Sequence, residues 1–242
     1  MASSLYIDLL KKALIDLHRI EDQKQLDDRL NGRDWPLHAD TMIGMKRLEN
    51  IEQCFRQIVD DNIPGDFIET GVWRGGAVIF MKALLKDSNI SDRNVWVADS
   101  FKGLPKPDEK KYAEDKRDKF YTCAELAVPV EEVKKNFAKY GLLEGNVKFL
   151  KGWFKDTLPS APVRALAMLR LDGDMYGSTI DALTSLYPKL SKGGFIIIDD
   201  WSLKGCRQAV TDYRAANKIT EEIINIDWTG VYWRKMEPIS RI

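Results

Sequence analysis

Histidine is scarce in this 242-residue chain: His18 and His38 are the only two, and they form neither an HxH nor an HExxH zinc pattern. The three cysteines, Cys54, Cys123 and Cys206, contain no CxxC pair and read as reduced thiols of a cytoplasmic protein, not as a disulfide framework. Net charge is lacking too, since 37 basic residues balance 37 acidic ones, so no overall field selects nucleic acid or an anionic membrane. No apolar run reaches the length of a membrane span, and the opening "MASSLYIDLLKKALIDLHRI" has charges at helical spacing where a secretory signal would have an apolar core. Internal repeats, a GxGxxG fingerprint and the Lys-Ser/Thr of a phosphate-binding P-loop are also missing.

What is present is a change of rhythm. Leu5, Leu9, Leu10, Ala13, Leu14 and Leu17 predict a helix over residues 5–20, and Met45, Leu48, Ile51, Phe55 and Ile58 a second over 41–60, with "NGRDWPLHAD" as a loop between them. From Asp66 onward five short strand-like runs follow, "DFIET", "NVWVA", "VKFL", "LAMLRL" and "GFIIID", most of them separated by helical patterns. Such alternation implies a mainly parallel sheet covered on both faces. The closing "TEEIINIDWTGVYWRK" reads as two strands around a turn at Gly230, so an antiparallel hairpin should complete a seven-stranded sheet. The whole suggests an α/β chain with a Rossmann-like class I methyltransferase fold. A helical segment over 1–62 precedes the main domain at 63–242, and the charged stretch 102–128 is either a lid beside the second strand or a solvated helix with no role.

Two strand ends carry groups suited to a cationic nucleoside. "FIETGVWRGG" is a strand, a glycine turn and a helix start, and Gly71, Gly75 and Gly76 let backbone approach a ligand or simply make a tight connection. Glu69 at that strand end would repel a pyrophosphate but suits an ammonium or a sulfonium. Asp99 ends the next strand in "VWVADSFKGLP", where a carboxylate can accept both ribose hydroxyls, or alternatively organise a turn with Ser100. Trp153 and Phe154 after the third strand are placed to flank a purine or to fill the core.

Two later strands each end in paired carboxylates: Asp172 and Asp174 in "LRLDGDMYGST", Asp199 and Asp200 in "FIIIDDW". Neighbouring parallel strands deliver these groups to one edge, where uncompensated carboxylates raise one another's pKa values. A hard divalent cation such as Mg²⁺ removes that conflict through oxygen ligation. A cation beside a ribose-and-sulfonium site suggests metal-assisted methyl transfer, with Asp172 or Asp174 taking the proton of the acceptor hydroxyl.

The blocks "DFIETGVWRGGAVIFMKALL", "VWVADSFKGLP", "LRLDGDMYGSTIDALTSLYPKLSKGGFIIIDDW" and "GCRQAVTDYRA", with "RDWPLHADTMIGMKRLENI" upstream, resemble the macrocin O-methyltransferase family. Its members are S-adenosylmethionine- and Mg²⁺-dependent enzymes that methylate sugar hydroxyls in natural-product biosynthesis. The resemblance implies Asp172, Asp199 and Asp200 as metal ligands. It places Glu69, Gly71 and Gly75 along the methionine part of the cofactor, Asp99 and Ser100 along the ribose, and Asp172-Gly173 beside the sulfonium. Thr41 and Met42 would fold over the amino-acid tail. The same turns bring Thr70, Val72, Trp73, Phe101, Gly103 and Trp153 into the expected cofactor site. It further implies a small-molecule acceptor with a free hydroxyl and a homodimer or higher oligomer joined through the N-terminal helices. Trp201 stands where the family pattern has tyrosine, a change that bears on the acceptor pocket, while Tyr112, Phe120 and Tyr121 of the insertion are candidates to stack on the acceptor. A catechol-like phenol is the alternative acceptor, although Met175 occupies the place where catechol enzymes carry a lysine. A nicotinamide-dependent oxidoreductase is a more distant alternative.

Overall fold

The computed structural model describes residues 4–116 and 118–236. Helices α1 (Leu5–Leu14), α2 (Gln23–Leu30) and α3 (Met45–Asp60) come first. Then follow β1 (Asp66–Thr70), α4 (Gly76–Asp87), β2 (Val95–Asp99), α5 (Val130–Lys139), β3 (Val147–Lys151), α6 (Phe154–Thr157), β4 (Leu166–Leu171), α7 (Tyr176–Leu186), β5 (Leu190–Ile198), α8 (Lys204–Ala216), β6 (Ile224–Asn225) and β7 (Val231–Arg234). The strands form one sheet in the order β3-β2-β1-β4-β5-β7-β6. The first five are parallel, and β7 pairs antiparallel with both β5 and β6, so the expected Rossmann-like sheet with its C-terminal hairpin is present. The chain runs outward to β2 and β3 on one side of β1 and to β4 and β5 on the other. The carboxyl ends of β1 and β4 therefore flank the crevice where ligands of open α/β sheets bind.

Strand alternation divides the core. Phe67, Val95, Val97, Met168, Phe195 and Ile197 face α1, α3, α4 and α5, while Ile68, Leu169, Leu171, Ile196 and Ile198 face α7 and α8. The N-terminal helices belong to the first of these clusters: Ile7, Leu10, Leu14, Leu48, Ile51 and Phe55 pack with Val78, Phe80 and Met81 of α4. Burying each large apolar side chain of this kind contributes about 1.5–3 kcal/mol.

Several expected boundaries move. The helix expected over 5–20 stops at Leu14 because Asp16 adopts a left-handed conformation (φ 52°), and only a short turn of tighter helix, Leu17–Arg19, follows. Its buried positions are Ile7, Leu10, Lys11 and Leu14, whereas Leu5 and Leu9 are exposed (75% and 57%). Lys11 is buried with its ammonium 2.9 Å from Glu52 of α3. The helix expected over 41–60 starts only at Met45, after Gly44 at its N-cap. Residues 41–44 stay outside the helix because Asp40 docks elsewhere: its carbonyl accepts the Gly76 N–H at 2.8 Å, and a side chain at Gly76 would meet Asp40 and Thr41. Helix α2 is an element the apolar spacing does not show, since "QKQLDDRL" contains only two leucines.

The insertion is neither one helix nor free chain. Its described part carries three short turns, Ala113–Asp115, Phe120–Thr122 and Ala124–Leu126, and is anchored to the body at two points. Buried Asp115 accepts the N–H groups of Tyr176 (2.6 Å) and Gly177 (2.9 Å) at the start of α7. Farther along, the Glu125 carbonyl accepts the Trp73 indole N–H at 2.9 Å.

Candidate active site

The strand ends are built for close approach. Gly71 (φ 81°) leaves β1 so near β4 that any side chain there would overlap the Asp172 carbonyl. The ladder continues past both strands, with Gly71 N–H donating to Ala98 and Asp172 N–H to Thr70, each at 2.9 Å. Asp99 ties two turns together: Oδ2 accepts the Val72 N–H (2.8 Å) and Oδ1 the Phe101 N–H (2.6 Å). Trp73, Phe101 and Asp174 all take left-handed backbone conformations (φ 47°, 56° and 57°). Strain of this kind in non-glycine residues gathers at ligand-binding turns.

At the centre is a charge network. Arg170 of β4 is 1% exposed and sits directly across from Glu69 of β1 in the sheet register. One guanidinium nitrogen pairs with Glu69 and, at 3.0 Å, with Asp172, while the other pairs with Asp199. Arg47 of α3 holds the second Asp199 oxygen at 2.5 Å and reaches Asp227 at 2.9 Å. Asp172, Asp174 and Asp200 each place a carboxylate oxygen within 4.8 Å of the others. The Asp174 N–H also donates to Asp200 at 2.9 Å. Of the expected ligands, Asp172 and Asp200 thus converge with Asp174 as their third partner, and Asp199 is held beside them by two arginines.

Burial and mutual repulsion show in the proton affinities. Desolvation, reinforced by Asp199 and opposed by Arg170, lifts Asp172 to about 6. Desolvation and then Asp172 lift Asp174 to about 8, and Asp200 rises well above the usual range for the same reasons, with Asp174 as its main repelling neighbour. Burial likewise pushes Glu69 up to about 8 against the pull of Arg170. Three hard oxygen donors that resist ionising together fit a divalent cation such as Mg²⁺.

Two cavities meet here and share Gly71, Asp99, Leu104, Asp172 and Asp174. The first, under the insertion, is lined by Ser100, Gly103, Trp153, Phe154, Gly173 and Tyr112, among others. The second takes in Thr41, Met42, Glu69, Val72, Trp73, Asp199 and Asp200, and opens past Trp35 and Trp228. Glu69 Oε2, buried on the second cavity's wall, has no hydrogen-bond partner among the described residues. An orphaned carboxylate oxygen fits the ammonium of S-adenosylmethionine. Three expected cofactor residues line neither cavity. Thr70 is fully buried in β1, Gly75 makes the left-handed N-cap of α4, and the Phe101 ring packs on Phe149 while its N–H serves Asp99. The aromatics of the insertion separate: Phe120 lines the second cavity, Tyr112 stacks on Tyr176 at the first, and Tyr121 lines neither. Trp201 packs against the core on the α8 side, and its own side chain is not among the lining of either cavity, while its neighbours Asp200 and Ser202 line the second.

A Rossmann-like sheet ending in an antiparallel hairpin, with carboxylates gathered at the β1/β4 crevice, is the architecture of a methyltransferase. The macrocin-O-methyltransferase (TylF) family model matches residues 3–235, and the chain belongs to this family. It is 50% identical over 250 aligned positions to the 8-demethyl-8-(2,3-dimethoxy-alpha-L-rhamnosyl)-tetracenomycin-C 4'-O-methyltransferase of Streptomyces olivaceus, covering 99% of this chain and 96% of that one. It is 49% identical to the demethyldecarbamoylnovobiocin O-methyltransferase of Streptomyces niveus, covering 96% and 94%. Among solved structures, that of the O-methyltransferase NovP superposes with a TM-score of 0.93 at 50% identity, over 98% of this chain and 100% of that one. The protein is an O-methyltransferase.

Sequence reasoning did not find Arg170, Arg47 and Asp227. A signal existed for the first: an arginine inside "LAMLRL", a run that must be buried on both faces, requires a carboxylate partner. Arg47 meets Asp199 across 152 residues of chain, and no local pattern announces that contact.

Proposed function

We propose that the protein transfers the methyl group of S-adenosylmethionine to a hydroxyl on the sugar of a glycosylated natural product, with Mg²⁺ or a similar cation at the strand ends. The observation that carries this reading is the convergence of Asp172, Asp174 and Asp200 beside an unpartnered Glu69 oxygen at the β1/β4 crevice. The relatives' names support a sugar acceptor: one specifies a rhamnosyl group, and another is a mycinamicin III 3''-O-methyltransferase from Micromonospora griseorubida. Met175 is buried at the start of α7 and lines the first cavity, so no lysine stands there to serve a catechol.

When bound, S-adenosylmethionine supplies an electrophilic methyl on a sulfonium, and the cation supplies Lewis acidity toward the acceptor hydroxyl. The chain's own residues do the rest. Glu69 receives the ammonium through Oε2 while Arg170 fixes its other oxygen. Asp99, oriented by two backbone N–H groups, accepts the ribose hydroxyls with its remaining lone pairs. Thr41 and Met42 close the second cavity over the amino-acid tail, and Ser100, Gly103, Trp153 and Gly173 wall the adenosine side. Asp172 and Asp200 would hold the cation; the resemblance adds Asp199 as third ligand, whereas the carboxylate that converges on the pair is Asp174 and both Asp199 oxygens are engaged by Arg47 and Arg170. Asp174 has no cationic partner among the described residues and lies beside Asp172 and Asp200, so it takes the acceptor proton.

No described helix is long and apolar enough to cross a membrane. Exposed Leu5 and Leu9 on α1 support assembly into a homodimer through the N-terminal helices, which sedimentation checks. The test of the main reading is incubation with S-adenosylmethionine, Mg²⁺ and a panel of glycosides including demethyldecarbamoylnovobiocin and para-nitrophenyl α-L-rhamnoside. Mass spectrometry should show one methyl added to a sugar hydroxyl of at least one of them. Methylation confined to catechols would refute the glycoside reading.

A further inference from the structure

Two indoles stand at the mouth of the second cavity with about half their surface exposed, Trp35 at 54% and Trp228 at 50%. Half-exposure of one tryptophan needs no explanation, but these two line the same cavity, the one that contains the carboxylates. They come from distant parts of the chain, the loop after α2 and the β6–β7 turn. The two segments are joined directly, since the Trp228 indole N–H donates to the Asn31 carbonyl at 2.8 Å.

Both segments are also fastened to the catalytic edge. Asp227, next to Trp228, accepts the N–H groups of Thr229 (3.0 Å) and Gly230 (2.7 Å) and so shapes the turn. Its other oxygen takes Arg47 Nε at 2.9 Å, and the same guanidinium holds Asp199 at 2.5 Å and the Gly32 carbonyl at 3.3 Å. Thr229 Oγ1 donates to the Asp199 carbonyl at 3.0 Å. A single buried arginine therefore links the turn carrying Trp228, the loop leading to Trp35 and the carboxylate end of β5. The indoles have a set position relative to Asp199.

We propose that Trp35 and Trp228 form the acceptor wall, stacking on the apolar C–H face of the sugar whose hydroxyl is methylated. An indole offers a large flat apolar surface at little entropic cost, which suits a pyranose face that lacks hydrogen-bonding groups. The wall lies on the side of the site away from Trp153 and Gly173 of the adenosine side, in the cavity that Thr41, Met42 and Glu69 of the donor's amino-acid end also line, so a fall in S-adenosylmethionine affinity in the tryptophan variants would overturn the wall.

This inference rests on the glycoside reading, and its test separates the two. Steady-state kinetics are run on the full chain with the best glycoside of the panel above, and S-adenosylmethionine binding is measured in parallel by calorimetry. Trp228→Ala should raise KM for the glycoside about tenfold or more, the scale of a lost stacking contact, with kcat within about twofold and cofactor affinity unchanged. Trp228→Phe should recover most of the loss, and Trp35→Ala should behave as Trp228→Ala does. A wild-type enzyme that methylates none of the glycosides overturns the glycoside reading and the wall with it. An enzyme that methylates one of them while both alanine variants keep the wild-type KM overturns the wall alone. So does a Trp228→Ala variant that loses self-association with no change in KM, because the indole then belongs to an interface between copies.

Discussion

Replacing Arg170 by methionine removes a charge and little volume from the middle of the carboxylate cluster. Its guanidinium serves Glu69, Asp172 and Asp199 from a position 1% exposed to solvent, so water cannot take its place. Breaking a buried ion pair by deleting one partner costs about 3–5 kcal/mol. The three dependent carboxylates do not multiply that figure, because each can escape by taking up a proton, at about 1.4 kcal/mol per unit between its pKa and the ambient pH. That escape sets the sign of the pH dependence. Losing Arg170 raises the carboxylate pKa values in the folded protein, so the variant's native state binds more protons than its unfolded state. Its stability then falls as pH rises. In metal-free buffer near pH 8 the full ~3–5 kcal/mol should be lost, which for a chain of this size lowers Tm by roughly 6–20 °C. Near pH 5, where the carboxylates protonate easily, the deficit should shrink to about 1 kcal/mol. Thermal unfolding of both proteins in EDTA across that range measures it. A difference under about 2 °C that does not change with pH would refute the central role given to Arg170.

Other groups make separate expectations. Glu69, held near pH 8 by burial, must ionise to receive an ammonium, so S-adenosylmethionine binding at pH 7 should release a proton, seen as a calorimetric enthalpy that varies with the buffer's ionisation enthalpy. Glu69→Gln should abolish that release and weaken binding by about 10- to 100-fold, the worth of a charge-assisted hydrogen bond. Asp174→Asn should lower kcat by about 10²–10⁴ while raising Tm at alkaline pH, because it deletes a carboxylate that the folded state resists ionising. Asp115→Ala removes the cap of α7 and should cost about 0.5–2 kcal/mol in thermal unfolding, together with faster proteolysis within residues 102–128.

The parts of the site carried on single strand ends were readable in advance. "DFIET", "LRLDGD" and "FIIIDD" each announce a buried strand and its terminal acids within a few residues, and parallel pairing then obliges those acids to converge. Contacts that depend on two distant segments were not readable. Arg170 is a lone charge in an apolar run, but its partner Glu69 is specified only once β1 and β4 are known to be neighbours. Arg47 counts as an ordinary helix charge until α3 is packed against the end of β5. The short reach of Leu5–Leu14 has a similar origin, since apolar spacing continues through Leu17 while the left-handed turn at Asp16 redirects the backbone. Thr41 and Met42 entered through family resemblance, and the physical reason for their placement, the docking of Asp40 on Gly76, shows only in three dimensions.

The most direct test of metal-assisted transfer is turnover of a glycoside and S-adenosylmethionine before and after EDTA, followed by stepwise return of Mg²⁺. Activity should vanish on chelation, return with Mg²⁺, and require more Mg²⁺ in Asp200→Asn than in the wild type. Full turnover in EDTA, with the cofactor still bound by calorimetry, would contradict it.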